Sequence, residues 1–95
     1  MEKEFFEIET TVELPFRSDY KHTTFCCNLC RMLGAHAPSV MMSVEGGPFV
    51  DAKSILGLMS IATANGRTLI FRIKGENLLD VRVLVDELKS LKNLD

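Results

Sequence analysis

No apolar run in this chain approaches the roughly 20 residues needed to cross a bilayer. The opening Met1-Glu2-Lys3-Glu4-Phe5-Phe6-Glu7 is too acidic and too poor in apolar residues for a signal peptide. A basic excess is also missing: 11 Lys and Arg stand against 13 Asp and Glu, a formal charge of -2, which removes the electrostatic case for binding nucleic acid. Only three cysteines occur, an odd number crowded at Cys26, Cys27 and Cys30, so there is no disulfide framework. No internal repeat, linker or low-complexity segment interrupts the sequence. These absences point to a reduced, cytoplasmic setting, without membrane insertion. Ninety-five residues suit one domain over 1–95 with one modest core and no room for a buried cofactor, so no cofactor is expected. A hydrophobic fraction of 46% with 25% charged residues is ordinary for a water-soluble domain.

Periodicity supplies the positive signals. Phe6, Ile8, Thr10, Val12 and Leu14 alternate with Glu7, Glu9, Thr11 and Glu13, a half-buried strand with a solvated acidic face that Pro15 ends. The stretch from Phe16 to Lys21 is polar and irregular. Phe25, Cys26, Leu29, Met32 and Leu33 draw a helical stripe, with Thr23 or Thr24 as its cap and Gly34 placed to end it in a left-handed conformation. Val40–Val44 reads as a strand closed by Glu45-Gly46-Gly47-Pro48, and Phe49–Ala52 as its hairpin partner. A short helix follows, then an Asn65-Gly66 turn and a strand in which Leu69, Phe71 and Ile73 alternate with Ile70, Arg72 and Lys74. Asn77 or Glu76 opens the last helix, whose buried stripe is Leu78, Val81, Leu84, Val85, Leu88 and Leu91, with Lys89 and Lys92 near its negative end. The order β-α-β-β-α-β-α predicts an α+β fold, a four-stranded antiparallel sheet with its helices on one face.

Two places stand out chemically. Ser54 precedes Ile55-Leu56-Gly57-Leu58-Met59-Ser60-Ile61, so its hydroxyl is expected to cap the short helix. That segment is more apolar than a short surface helix needs and is either core or a landing site for another protein. Leu58 and Ile61 are expected to turn inward, leaving Ile55, Leu56 and Met59 partly exposed. Upstream, His22-Thr23-Thr24 runs into the first helix, which sets an imidazole beside a helix N-terminus, where anions are stabilised. Amides of Thr24, Phe25 and Cys26 are candidates to face an anion there.

Cys27-Asn28-Leu29-Cys30 spells C-x-x-C, a redox or metal motif. No second ligand pair appears elsewhere and Cys26 belongs to the buried stripe, so no metal is expected. His36 reads as a polar residue just past the helix end.

The element order and these residues resemble HPr, the small histidine phosphocarrier of the bacterial sugar phosphotransferase system. The likeness spans nearly the whole chain and is strongest at Ala52-Lys53-Ser54-Ile55-Leu56-Gly57-Leu58-Met59-Ser60, which is similar to the family's regulatory-serine segment. Counting back from the Val40 strand, His22 falls without a gap on the family's phosphorylated histidine, and Thr23 fits beside it. The family follows that histidine with Ala or Thr, then Arg and Pro; Thr24 and Phe25 stand here in place of the last two. The loop ahead of His22 is longer than usual and lacks the family's glycine.

The resemblance implies an HPr-like open-faced β-sandwich and a carrier rather than an enzyme. His22, with Thr23 beside it, would accept a phosphoryl group in phosphoenolpyruvate-dependent sugar transport; apart from the resemblance, Thr24 and the nearby cations Arg17 and Lys21 are this sequence's own candidates to stabilise that group. Ser54 would be a regulatory phosphorylation site, and Ile55, Leu56, Met59 and Ile61 would meet partners. Those partners would be the system's first enzyme and a sugar-specific acceptor, or a transcriptional regulator. The implied alternative is a regulatory binding module that keeps the docking surface without efficient phosphotransfer, like the catabolite-control relatives of HPr.

Overall fold

Alternating side chains build the sheet of the computed structural model, which describes residues 4–13, 22–61 and 68–90, with backbone alone at 22–25 and 61. Its elements are β1 (Phe6–Glu13), α1 (His22–Gly34), β2 (Ser39–Val44), β3 (Val50–Asp51), α2 (Ile55–Ile61), β4 (Thr68–Gly75) and α3 (Leu78–Lys89). The four strands lie in the order β1-β4-β2-β3, and every pairing is antiparallel. This is the expected β-α-β-β-α-β-α architecture. Leu14 to Lys21, the Asn65-Gly66 turn, and Leu91 and Lys92 lie outside the described residues.

Register explains which face is dry. On β4, Leu69, Phe71 and Ile73 sit opposite Val12, Thr10 and Ile8 of β1 on one side, and opposite Val44, Met42 and Val40 of β2 on the other. Because strand side chains alternate, all of these point to one face. Cys26, Leu29 and Leu33 of α1, Leu58 of α2, and Val81, Leu84, Val85 and Leu88 of α3 join them in one hydrophobic cluster. Phe71, at the centre, has no exposed surface; burying a side chain of that size is worth about 1.5–3 kcal/mol. The opposite face stays open. There Glu9 of β1 accepts from Arg72 of β4 at 3.0 Å, and the Arg72 guanidinium lies 4.0 Å from the centre of the Phe49 ring. Glu9 thus lies on the solvated face that alternation predicts, with a cross-strand cation beside it.

β3 is Val50–Asp51 rather than the expected Phe49–Ala52, and three further features differ from the sequence expectation, each for a local reason. First, α1 opens at His22, so Thr23 and Thr24 lie within its first turn rather than capping it. Second, Gly34 is the last helical residue and does not adopt a left-handed conformation. The helix closes instead by tightening, with the Ala35 amide donating to the Met32 carbonyl at 3.3 Å and the His36 amide to Leu33 at 3.1 Å. Third, Leu78 is 40% exposed. Helical side chains tilt toward the N-terminus, so the first residue of α3 projects past the turn that rests on the sheet. Asn77 rather than Glu76 caps α3, its Oδ1 accepting from the amides of Leu79 at 2.9 Å and Asp80 at 3.3 Å.

The left-handed conformations fall in the turn after β2. Glu45 has φ 47° and Gly46 φ 79°, and the Gly47 amide donates to the Val44 carbonyl at 3.0 Å. Two successive positive φ values make the turn type whose twist suits antiparallel strands. Ser43, fully buried, donates its hydroxyl to the Gly47 carbonyl at 2.7 Å and ties the turn to β2.

Candidate functional site

His22 is the first residue of the 13-residue helix α1. A helix that starts there leaves the amides of His22, Thr23 and Thr24 ahead of its first i to i+4 hydrogen bond. The amides of Phe25 and Cys26 therefore enter the ladder, and the anion-facing donors are those of residues 22–24, two residues earlier than the expected Thr24, Phe25 and Cys26. The helix has no acidic residue in its first turn, so nothing on α1 itself opposes an anion there. Arg17 and Lys21 lie outside the described residues, as do the side chains of His22, Thr23 and Thr24.

Ser54 is more fully defined. Its Oγ accepts from the Gly57 amide at 3.2 Å, and its carbonyl accepts from the Leu58 amide at 2.9 Å, which makes it the N-cap of α2. The approach to this cap is fixed by Asp51. The Asp51 carboxylate accepts from the Lys53 amide at 2.9 Å, and its carbonyl accepts from the Ser54 amide at 3.1 Å. Gly57 is glycine because a Cβ there would sit 3.0 Å from the Asp51 carbonyl oxygen.

α2 divides its apolar residues between two tasks. Leu58 is fully buried, and Ile55 is half-buried against the core. Leu56 and Met59, three residues apart and hence neighbours on one helix face, are 79% and 44% exposed. The side chain of Ile61, which ends the helix, is not among those described. The structure thus brings Leu56 and Met59 together at the surface and sends Leu58 inward.

The entry to α2 is bound to the other helices through a chain of contacts that sequence reasoning missed. The Cys30 thiol of α1 donates to the Lys53 carbonyl at 3.1 Å, and Lys53 Nζ donates to the His36 carbonyl at 2.6 Å. His36 Nε2 lies 2.8 Å from Glu87 Oε2 of α3, with 19% of its side chain exposed. His36 does follow the helix end, but as a half-buried connector rather than a simple surface residue. No local pattern announces a contact between positions 51 residues apart.

The Cys30 thiol, eight residues along α1 from His22, thus ties the entry of α2 to the middle of α1.

The cysteines have distinct environments. Cys26 is buried, and burial raises its thiol above the ordinary value, with Cys27 and Cys30 adding to the shift. Cys27 is exposed and Cys30 intermediate. Among the described residues, no group of three or more His, Cys, Asp and Glu is gathered to hold a metal ion. Among the same residues, no helix is long and apolar enough to cross a membrane.

Comparison with known proteins gives a fold. No family model matches the sequence. No curated protein matches it either. Among solved structures, the chain is similar to HPr-C-His from Thermoanaerobacter tengcongensis, with a TM-score of 0.64 over 90% of this chain and 96% of that one. The two are 20% identical in sequence, so the likeness is one of architecture. The chain has an HPr-like fold: four antiparallel strands and helices in the order β-α-β-β-α-β-α.

Proposed function

We propose that this chain, as one domain over 1–95, is a cytoplasmic HPr-like phosphocarrier of the phosphoenolpyruvate-dependent sugar phosphotransferase system. The observation that carries the reading is the HPr-like fold with His22 as the opening residue of α1. A neutral imidazole nitrogen attacks the donor's phosphorus in line, the new N–P bond forming as the bond to the donor breaks. Unperturbed histidine titrates near 6.5, so the nucleophilic form is abundant at neutral pH. First-turn amides and the helix dipole favour the transferred phosphoryl group, the dipole by about 0.3–1 kcal/mol. Arg17 and Lys21, shortly before His22 in the sequence, would supply cationic side chains. The protein is a carrier, with the first enzyme as donor and a sugar-specific protein as acceptor.

Thr24, where the family has arginine, removes a charge-assisted contact worth about 1.5–3 kcal/mol. Felt wholly in the transition state, that loss slows transfer by about 10- to 100-fold. The same substitution, with Leu56 and Met59 exposed on α2, favours a second reading: a regulatory module that binds a transcriptional regulator without efficient phosphotransfer. In both readings Ile55, Leu56, Met59 and Ile61 form the partner surface, and phosphorylation of Ser54 weakens it by setting charge beside apolar groups.

The test is incubation with phosphoenolpyruvate and a first enzyme of the system, alongside a working HPr control. A carrier acquires an acid-labile, alkali-stable phosphoramidate. No incorporation removes the carrier reading. Partner binding that survives His22→Ala but is lost in Met59→Asp then identifies the adaptor.

A further inference from the structure

The C-x-x-C segment remains unused by phosphoryl transfer, and the structure gives its two thiols different settings. Cys27 is exposed on α1, while Cys30, three residues on, is half-buried with its thiol donating to the Lys53 carbonyl at 3.1 Å. Residues three apart on a helix are surface neighbours, with Cβ atoms about 5–6 Å apart. A disulfide needs Cβ atoms about 3.5–4.5 Å apart, so closure takes a local tightening of roughly 1–2 Å. Cys26 is the wrong partner: it is 3% exposed within the core cluster, and burial disfavours its thiolate.

We propose that Cys27 and Cys30 are a reversible redox-modification site for low-molecular-weight disulfides such as glutathione disulfide, and that closing it loosens the entry to α2. The Cys27 thiolate attacks one sulfur of the disulfide and becomes a mixed disulfide, releasing one thiol. The Cys30 thiolate then attacks the Cys27 sulfur and releases the second thiol. Two protein thiols are oxidised, and one small disulfide is reduced to two thiols. Strain in so short a link makes it easily reduced again, as befits a regulatory disulfide.

The consequence follows from the hydrogen bond that closure breaks. Once oxidised, Cys30 has no S–H to donate, and the Lys53 carbonyl loses the donor that joins it to α1. That carbonyl directly precedes Ser54, whose hydroxyl and carbonyl hold the amides of Gly57 and Leu58. Oxidation therefore acts on the α2 surface, whether or not His22 carries a phosphoryl group.

The full chain, native and reduced, is treated with glutathione disulfide, quenched in acid and weighed intact. Wild type and Cys26→Ala are expected to lose two hydrogens, carry no glutathione, and recover with dithiothreitol. Cys30→Ser should stall with one glutathione on Cys27, and Cys27→Ser should react at least 10-fold more slowly than wild type. In the oxidised protein the amides of Gly57 and Leu58 should exchange several-fold faster, with α3 unchanged. A lasting glutathione adduct on wild type, a disulfide-linked dimer, or failure of Cys26→Ala to close would overturn the site. Unchanged exchange at Gly57 and Leu58 would overturn its link to α2.

Discussion

Two glycines in this chain answer opposite demands. Gly46 sits at φ 79° in the turn after β2, where an L side chain is strained even though nothing lies within 4 Å of a Cβ built there. Gly34 ends α1 without a left-handed φ, and a Cβ there also meets nothing within 4 Å. Gly46→Ala should lower stability by about 1 kcal/mol. Gly34→Ala should raise it by about 0.4–1 kcal/mol, because alanine has less freedom to lose on folding. Urea titration of both variants checks the pair through their midpoints at unchanged slope. The Gly34 result also bears on how a sequence is read. A glycine after an apolar stripe invites a left-handed cap, yet backbone bonds from Ala35 and His36 close this helix without one.

At α2, Ser54 caps the helix and Met59 belongs to the proposed partner surface. Ser54→Ala removes the cap on Gly57 and should cost about 1 kcal/mol, read as a lower melting temperature. Gly57→Ala crowds the Asp51 carbonyl and should cost about 1–3 kcal/mol, since backbone has little room to yield. Met59→Asp changes a side chain that is 44% exposed, so stability should stay within about 0.5 kcal/mol of wild type. Its partner affinity should nevertheless fall at least about tenfold, or roughly 1.4 kcal/mol, as titration calorimetry would record. The split between Leu58 inside and Leu56 and Met59 outside was legible in the sequence, because helical spacing separates those positions. The half-buried state of Ile55 follows from its place at the first turn, where the core edge and the surface meet.

At the scale of the molecule, periodicity carried the fold. Strand alternation set β1 and β4 in register and left one face open, and the stripes of α1 and α3 chose the other face to cover. The connections between helices were not legible. Glu87, His36, Lys53 and Cys30 meet through two hydrogen bonds to backbone carbonyls and one side-chain pair, none with a sequence period. Where the entry of α2 docks along α1 was hidden for the same reason. Thr23 and Thr24 misled because both are good caps, yet the helix begins one residue ahead of them.

The central claim is that His22, at the opening of α1, carries the phosphoryl group. The most direct measurement is site mapping by mass spectrometry at alkaline pH after reaction with phosphoenolpyruvate and a first enzyme, on wild type, His22→Ala and His36→Gln. The account predicts phosphate on His22 in wild type and His36→Gln, and none in His22→Ala. Phosphate on His36, or an unmodified His22 beside a fully phosphorylated HPr control, would contradict it.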